Sequence, residues 1–156
     1  MKIKVIAVGK IKENFSKKWL EEFEKRLGAY CSFLVEEIPA EPILDDNFYE
    51  KYKQTEGEKI LSRIKNDSYV ITLEINGKTL SSEDFSKKIK EISSSGVNEI
   101  VFIIGGANGL SQDVSNRANF KLSFSKMTFT HQMIRLLLLE QIYRAFKILN
   151  GENYHR

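Results

Sequence analysis

The chain has few of the residues that usually carry metal, disulfide or hydrolytic chemistry. Among its 156 residues there are one cysteine and two histidines. Cys31 alone cannot form an intramolecular disulfide, which fits a reducing compartment, and no His, Cys and acidic residues have the spacing of a metal site. No G-x-S-x-G motif is present, and Cys31 lies at the start of a predicted strand, directly before residue 32. A metal centre and a serine or cysteine hydrolase therefore have no support.

Long hydrophobic runs and a strong charge bias are absent as well. The most apolar stretch, residues 134–149, is interrupted by Arg135, Glu140, Arg144 and Lys147, so it is too short and too charged to span a bilayer. The N-terminus lacks the features of a signal peptide. A net charge of +3 permits a nucleic-acid partner without requiring one. We expect a cytoplasmic protein with no membrane contact and one domain over residues 1–156.

What the sequence does contain is a regular alternation of strand and helix patterns. Strands are predicted over residues 2–8, 32–38, 69–75, 99–104 and 120–124. A turn at Asn76-Gly77 is predicted to end the third strand. Helices are predicted over residues 13–29, about 47–65, 82–92 and 112–118, and over 131–149. In the first of them Phe15, Trp19, Phe23 and Leu27 follow one another four apart, which makes one stripe of a helix. This alternation predicts an α/β fold with a mainly parallel sheet and flanking helices. Ligands of such sheets bind beyond the carboxyl ends of the strands.

One such strand end carries the segment FIIGGANGL, residues 102–110. Its spacing is not that of a P-loop, and no Lys-Ser/Thr pair follows. It also lacks the G-x-G-x-x-G spacing of a dinucleotide fingerprint. By itself the pattern favours a tight turn that needs close packing or a positive φ. It indicates only that backbone can approach a ligand there.

Two further segments have compositions that a bound ligand or a partner protein would explain. Residues 122–132, LSFSKMTFTHQ, are unusually apolar for a loop, which a ligand or a partner could cover. The terminal Asn153-Tyr154-His155-Arg156 fits either a frayed polar tail or a group that stacks on a base and contacts phosphate. The consecutive leucines 136–139 make the last helix apolar around most of its circumference. We therefore predict a homodimer with a two-fold interface.

Two polar residues of the last helix admit structural and functional interpretations. His131 begins the helix directly after Thr130, and alone it is best interpreted as a capping or packing residue. Arg144 follows Glu140 by four positions, which alone predicts an ordinary ion pair on a helix face.

Taken together, these segments resemble a known family. VIAVGK, ITLEINGK, FIIGGANGL, SFSKMTFTHQMIRLLLLEQIYRAFKI and a closing YHR are similar, end to end, to the RlmH family. Its members are pseudouridine N3-methyltransferases of the large-subunit ribosomal RNA, in the SPOUT superfamily. The resemblance implies a trefoil-knotted α/β fold, S-adenosylmethionine bound bent in the knot, and a homodimer with the cofactor near the subunit interface. It implies a substrate pseudouridine in 23S rRNA, modified on the assembled ribosome.

The resemblance also assigns residues. It places cofactor contacts at Leu73, Gly105, Phe124, Ser125, Lys126, Met127, Thr128 and Phe129. As a hypothesis, Arg144 stabilises the imide anion or positions RNA, while Tyr154, His155 and Arg156 place the base, with His155 as a candidate proton acceptor. The family often has proline before the helix histidine, where this chain has Thr130, a good N-cap.

Two alternatives remain open at this point. One is a SPOUT methyltransferase that acts on another RNA such as tRNA. The other is a non-catalytic nucleotide-binding or ribosome-associated module, which would not bind S-adenosylmethionine.

Overall fold

The structure, a computed structural model, describes residues 1–154. Its elements are β1 (Lys2–Val8), α1 (Asn14–Leu27), β2 (Ser32–Ile38), a 3₁₀ turn (Asp46–Phe48), α2 (Tyr49–Leu61), β3 (Tyr69–Thr79), α3 (Ser82–Ser94), β4 (Glu99–Ile104), α4 (Gln112–Arg117), β5 (Phe120–Ser123) and α5 (His131–Leu149). The five strands form one sheet in the order β2-β1-β4-β3-β5, and every neighbouring pair is parallel. The predicted α/β fold is confirmed, while the knot, which strand order alone does not define, stays a prediction.

Helices cover both faces of the sheet. Ile3, Val5 and Phe102 point to a core shared with α1, α3 and α5, while Val101 and Ile103 point to a smaller core with α2 and α4. β4 is buried along its whole length, as expected for a central parallel strand covered on both faces. The near-continuous apolar sequence of β4 follows from this position.

Helix α5 packs between α1 and α3 and reaches β1 and β4. It begins where the sequence predicts, because the Thr130 hydroxyl oxygen accepts a hydrogen bond from the Met133 amide at 3.2 Å. Ser81 and Ser111 cap α3 and α4 in the same way. Although α5 is apolar, neither it nor any other helix within residues 1–154 is long and apolar enough to cross a membrane.

Strand β3 is longer than predicted. Asn76-Gly77 is not a turn that ends the strand; it lies in a bulge, because the pairing of β3 with β5 jumps from Leu73 to Lys78. Gly77 lies so close to β5 that a Cβ there would be 2.7 Å from the carbonyl carbon of Leu122. The prediction was wrong because the strand resumes pairing after the irregularity, which bends it at the carboxyl edge of the sheet.

The apolar face of α1 is only half covered. Phe23 and Leu27 are buried as the helical spacing predicts, but Phe15 and Trp19 are 68% and 58% exposed. On the adjoining α5, Met133 and Leu137 are also exposed. Phe15 and Trp19 share one face of α1, and Met133 and Leu137 share one face of α5, because residues four apart lie on the same side of a helix. The two helices are in contact, and these four exposed side chains are called here the apolar strip (Phe15, Trp19, Met133, Leu137). The apolar stripe of α1 is therefore buried only in the second half of the helix.

Candidate cofactor site

A cavity of about 780 Å³ opens at the carboxyl edge of the sheet, within the usual size range of small-molecule sites. Four segments form its walls: the end of β3, the turn after β4, the loop after β5 with the first turns of α5, and the start of α1. Topology explains the place, because β3 and β4 are neighbours whose carboxyl ends meet at this edge, with β5 beyond β3.

The turn after β4, residues 105–109, is the glycine turn. Its ends are joined by a hydrogen bond from the Gly109 amide to the Gly106 carbonyl at 3.0 Å. Gly109 has a φ of +77°, with nothing within 4 Å of an added Cβ, so conformation requires glycine there. At Gly105 the reason is space, because a Cβ would lie 2.9 Å from the carbonyl carbon of Gly109. Backbone conformation at Gly109 and packing at Gly105, before any ligand contact, therefore require these glycines.

Helix α2 supports the glycine turn from behind. Gly57 approaches α4 so closely that a Cβ would lie 2.2 Å from the Ser111 hydroxyl oxygen. Next to it Glu56 is buried, with one carboxyl oxygen 3.5 Å from the position of a Gly106 Cβ. Burial raises the pKa of Glu56 above its usual range. Tyr49 adds a hydrogen bond from its hydroxyl to the Asn108 carbonyl at 2.6 Å. Gly57, a glycine within a helical sequence pattern, was the one feature of the sequence that indicated this close packing behind the glycine turn.

The opposite wall is the β5–α5 loop, residues 124–130. Serine hydroxyls shape it: Ser123 donates to the carbonyls of Ile75 and Ser125, and the Ser125 hydroxyl accepts from the Met127 amide. Of the eight residues assigned to the cofactor, seven line the cavity, and Lys126 does not. A residue must line the cavity if it is to contact the cofactor. The individual contacts with the cofactor stay predictions.

The charge of the cavity wall is distinctive. Its ionisable residues are Glu13, Glu74 and His131, and it includes no lysine or arginine from the described part of the chain. Burial, with the nearby Arg135 and Lys12, lowers the pKa of His131 below 6.5, so its ring is mostly neutral at neutral pH. The wall is therefore anionic, with an apolar majority of side chains around the carboxylates.

A buried cation fixes the first turns of α5 from behind the cavity. Arg135 is fully buried; it pairs with Glu37 at 2.6 Å and donates to the Gly9 carbonyl at 2.8 Å. Glu37 also accepts from the Ile11 amide at 3.1 Å. The His131 ring lies against Gly9, 3.3 Å from where a Cβ would stand. His131 is thus both a packing residue, as the sequence favours, and a cavity residue, while the role of Arg135 was missed.

The residues predicted to act in catalysis lie elsewhere on α5. Arg144 pairs with Glu140, as its spacing predicts, and its guanidinium lies 4.7 Å from the centre of the Tyr154 ring. Tyr154 donates a hydrogen bond to Glu140 at 3.3 Å. Arg144 follows Leu136, the last helix residue on the cavity wall, by about 12 Å of helix. One chain does not bring Arg144 or Tyr154 to its own cavity wall, and His155 and Arg156 lie outside the described residues.

The arrangement suits S-adenosylmethionine better than a phosphate-bearing nucleotide. Apolar walls and exposed backbone in the loop and the glycine turn can hold adenine, and the carboxylates match a ligand with positive charge. A phosphate would instead need cations, and the described wall includes none. Within residues 1–154 no group of three or more His, Cys, Asp or Glu is placed to hold a metal ion.

Comparison with known protein families agrees with this geometry. A family model described as "Predicted SPOUT methyltransferase" matches residues 1–155. The match covers nearly the whole chain, including every strand of the sheet and all four segments of the cavity. The chain therefore belongs to the SPOUT methyltransferases, a family whose members in general use S-adenosylmethionine as the methyl donor.

Proposed function

We propose that this protein methylates N3 of a pseudouridine in 23S rRNA on the assembled ribosome, with S-adenosylmethionine as donor. The observation that carries the proposal is the anionic, largely apolar cavity at the carboxyl edge of the sheet. The end-to-end resemblance of the motifs to the RlmH family supports the choice of nucleoside and RNA. The small net charge of +3 suits an enzyme that recognises the shape of the assembled ribosome. An enzyme that binds free RNA by electrostatic attraction would be expected to carry more positive charge.

The cavity residues would hold and orient the donor. Leu73 and the β5–α5 loop would enclose adenine, and Gly105 would bring backbone against the ligand. The donor supplies an electrophilic methyl group on a sulfonium, and the protein supplies alignment for in-line displacement. A donor that fills the cavity would replace water along these largely apolar walls, which strengthens the electrostatic interactions inside.

The acceptor requires different residues. N3 of pseudouridine is an imide N–H, which must lose its proton before or during attack. The Arg144 guanidinium would stabilise the resulting anion or position the RNA, and Tyr154 would place the base. His155, the candidate proton acceptor, and Arg156 complete this set.

A second copy of the chain would bring these residues to the cavity. Phe15 and Met133, two members of the apolar strip, also line the cavity, so an interface on the strip would border the site. An isologous interface there would pair α5 with its own copy. With the two helices antiparallel, Arg144 and Tyr154 of one copy would approach the cavity of the other. We therefore propose a homodimer whose active sites combine the cavity of one subunit with the α5 end of its partner.

Product analysis tests the reaction. The protein is incubated with methyl-labelled S-adenosylmethionine and with unmodified ribosomes, free 23S rRNA hairpins or tRNA, and the modified nucleoside is mapped by mass spectrometry. We expect 3-methylpseudouridine from ribosomes alone. Methylation of tRNA would replace the proposed substrate by another RNA, and a hairpin methylated at the ribosome's rate would refute recognition of the assembled particle.

Subunit complementation tests the shared site. Gly105→Val, which damages the cavity, and Arg144→Ala, which damages the α5 end, should each be inactive alone. After the two variants are unfolded and refolded together in equal amounts, half of the dimers should be mixed, and each mixed dimer should contain one intact site. About a quarter of wild-type activity should return by this symmetry argument. If both groups came from the same chain, no activity would return, and wild-type protein refolded identically is the control.

A further inference from the structure

Glu74 has an unusual position in the cavity. It is the first residue of the β3 bulge, and it lines the cavity next to Leu73. Two hydroxyl groups hold its carboxylate: Thr72 donates at 2.7 Å and Ser115 at 3.0 Å. Thr72 is fully buried and Ser115 nearly so. The carboxylate is thus fixed before any ligand arrives, which is the condition for strong electrostatic interaction in a site.

The carboxylate of Glu74 has no direct ion-pair partner within the described part of the chain. Glu74 forms none of the ion pairs found there. Lys121 reaches it only through the Ser115 hydroxyl, which accepts from the lysine at 2.6 Å. The second wall carboxylate, Glu13, is exposed beside the start of α1 and has solvent around it. Among the described wall residues, Glu74 is therefore the one whose carboxylate is held in place by hydroxyl groups, and a positive ligand group is its natural partner.

We propose that Glu74 binds the positive charge at the sulfonium centre of S-adenosylmethionine and so makes the cavity prefer the donor over its spent product. This inference rests on the proposed cofactor. The transfer breaks the sulfur–methyl bond and forms the N3–methyl bond; the bonding electron pair stays on sulfur, and the N3 proton leaves to a base. Sulfur thereby changes from a cation to a neutral thioether. The attraction to Glu74 is lost in the same step, which favours release of S-adenosylhomocysteine.

The donor and the product differ only by the methyl group and its charge, so the pair is a direct probe. Isothermal titration would measure both affinities for the wild-type protein, Glu74→Gln and Glu13→Gln. The glutamine keeps the size of the side chain and removes its charge, and Glu13 supplies the matched control on the same wall. Thermal melting would show that each variant is folded.

We expect the wild-type protein to bind the donor more tightly than the product. In Glu74→Gln the donor should lose on the order of tenfold in affinity, whereas the product should change by less than about twofold because it lacks the charge. Glu13→Gln should keep the wild-type ratio. Ser115→Ala keeps the charge of Glu74 and removes one of the hydroxyl groups that hydrogen-bond its carboxylate. This variant should retain more of the preference for S-adenosylmethionine over S-adenosylhomocysteine than Glu74→Gln does.

Several results would overturn the assignment. Tighter binding of product than of donor by the wild-type protein would contradict it without any variant. Equal losses for both ligands in Glu74→Gln would mean that Glu74 contacts the ribose or the amino acid that they share. Failure of the wild-type protein to bind either ligand would refute the proposed cofactor itself, and with it this inference. If both ligands bind and the ratio of their affinities is the same in Glu74→Gln as in the wild-type protein, the role of Glu74 is refuted while the proposed cofactor stands.

Discussion

Alanine at Gly105 and at Gly109 should separate the space that the glycine turn needs from the backbone conformation that it needs. At Gly109 the surroundings are open and φ is +77°, so alanine there costs about 1–2 kcal/mol of left-handed strain but displaces nothing. At Gly105 the new Cβ would lie 2.9 Å from the Gly109 carbonyl carbon and 3.0 Å from a methyl carbon of Leu110. The first of these atoms is backbone, so the turn itself must open.

The two variants should therefore have similar stability and different binding. Forcing a methyl group into the packed turn costs about 1–3 kcal/mol, comparable to the strain at Gly109. Opening the turn also disturbs the bond between the Gly109 amide and the Gly106 carbonyl. Because this segment is a cavity wall, Gly105→Ala should weaken binding of S-adenosylmethionine at least about tenfold, equal to about 1.4 kcal/mol.

Urea denaturation gives the free energies of unfolding of both variants, and isothermal titration gives their affinities. Gly109→Ala should bind S-adenosylmethionine within about threefold of the wild-type protein, since a residue held in the same conformation leaves the wall in place. The opposite ranking, with binding lost at Gly109 and kept at Gly105, would refute the steric account of the turn.

Three further predictions concern the surroundings of the cavity. Arg135→Met should lower the free energy of unfolding by about 2–4 kcal/mol. The loss should be smaller than for a fully buried ion pair, because Glu37 is partly exposed. Urea denaturation measures this loss, and an unchanged denaturation midpoint would contradict the prediction. His131 has a lowered pKa, so the unfolded chain takes up the proton first and stability falls as the pH drops below 6.5. Between about pH 7.5 and about pH 5.5, the free energy of unfolding of His131→Gln should fall less than that of the wild-type protein in urea titrations. Equal losses would exclude His131 as a source of the pH dependence of stability. Trp19→Lys should yield monomers in sedimentation velocity, whereas Phe48→Lys, at a comparably exposed residue outside the apolar strip, should remain dimeric.

The sequence predicts the sheet well because local patterns determine its parts. β4 reads as a continuous apolar run because both of its faces are covered, and Ser81, Ser111 and Thr130 each begin a helix by a hydrogen bond within three residues. The turn predicted at Asn76-Gly77 fails for the opposite reason. Pairing with β5, a strand distant in the sequence, continues β3 beyond a local signal that normally ends a strand.

The cavity was predicted in part. Composition makes the glycine turn and the β5–α5 loop unusual, the resemblance to the RlmH family assigns both to the cofactor, and both line the cavity. The groups behind the walls were not identified. Arg135 meets a carboxylate 98 residues away and a carbonyl 126 residues away, and in the sequence it only interrupts an apolar run. Nothing local distinguishes such a residue from an arginine on a helix surface.

Helix α5 also limits how the site can be completed. Its first turns line the cavity, its middle is buried against α1 and α3, and Arg144 lies beyond them. An α-helix advances about 1.5 Å per residue and does not fold back, so Arg144 cannot approach the wall of its own chain while the helix is intact. If Arg144 stabilises the imide anion at the site of methyl transfer, a second chain must supply it. Methylation per subunit should then fall as the protein is diluted below the dimer dissociation constant, in parallel with the dimer fraction measured by sedimentation. A rate per subunit that stays constant through dissociation would exclude Arg144 as the group that stabilises the anion.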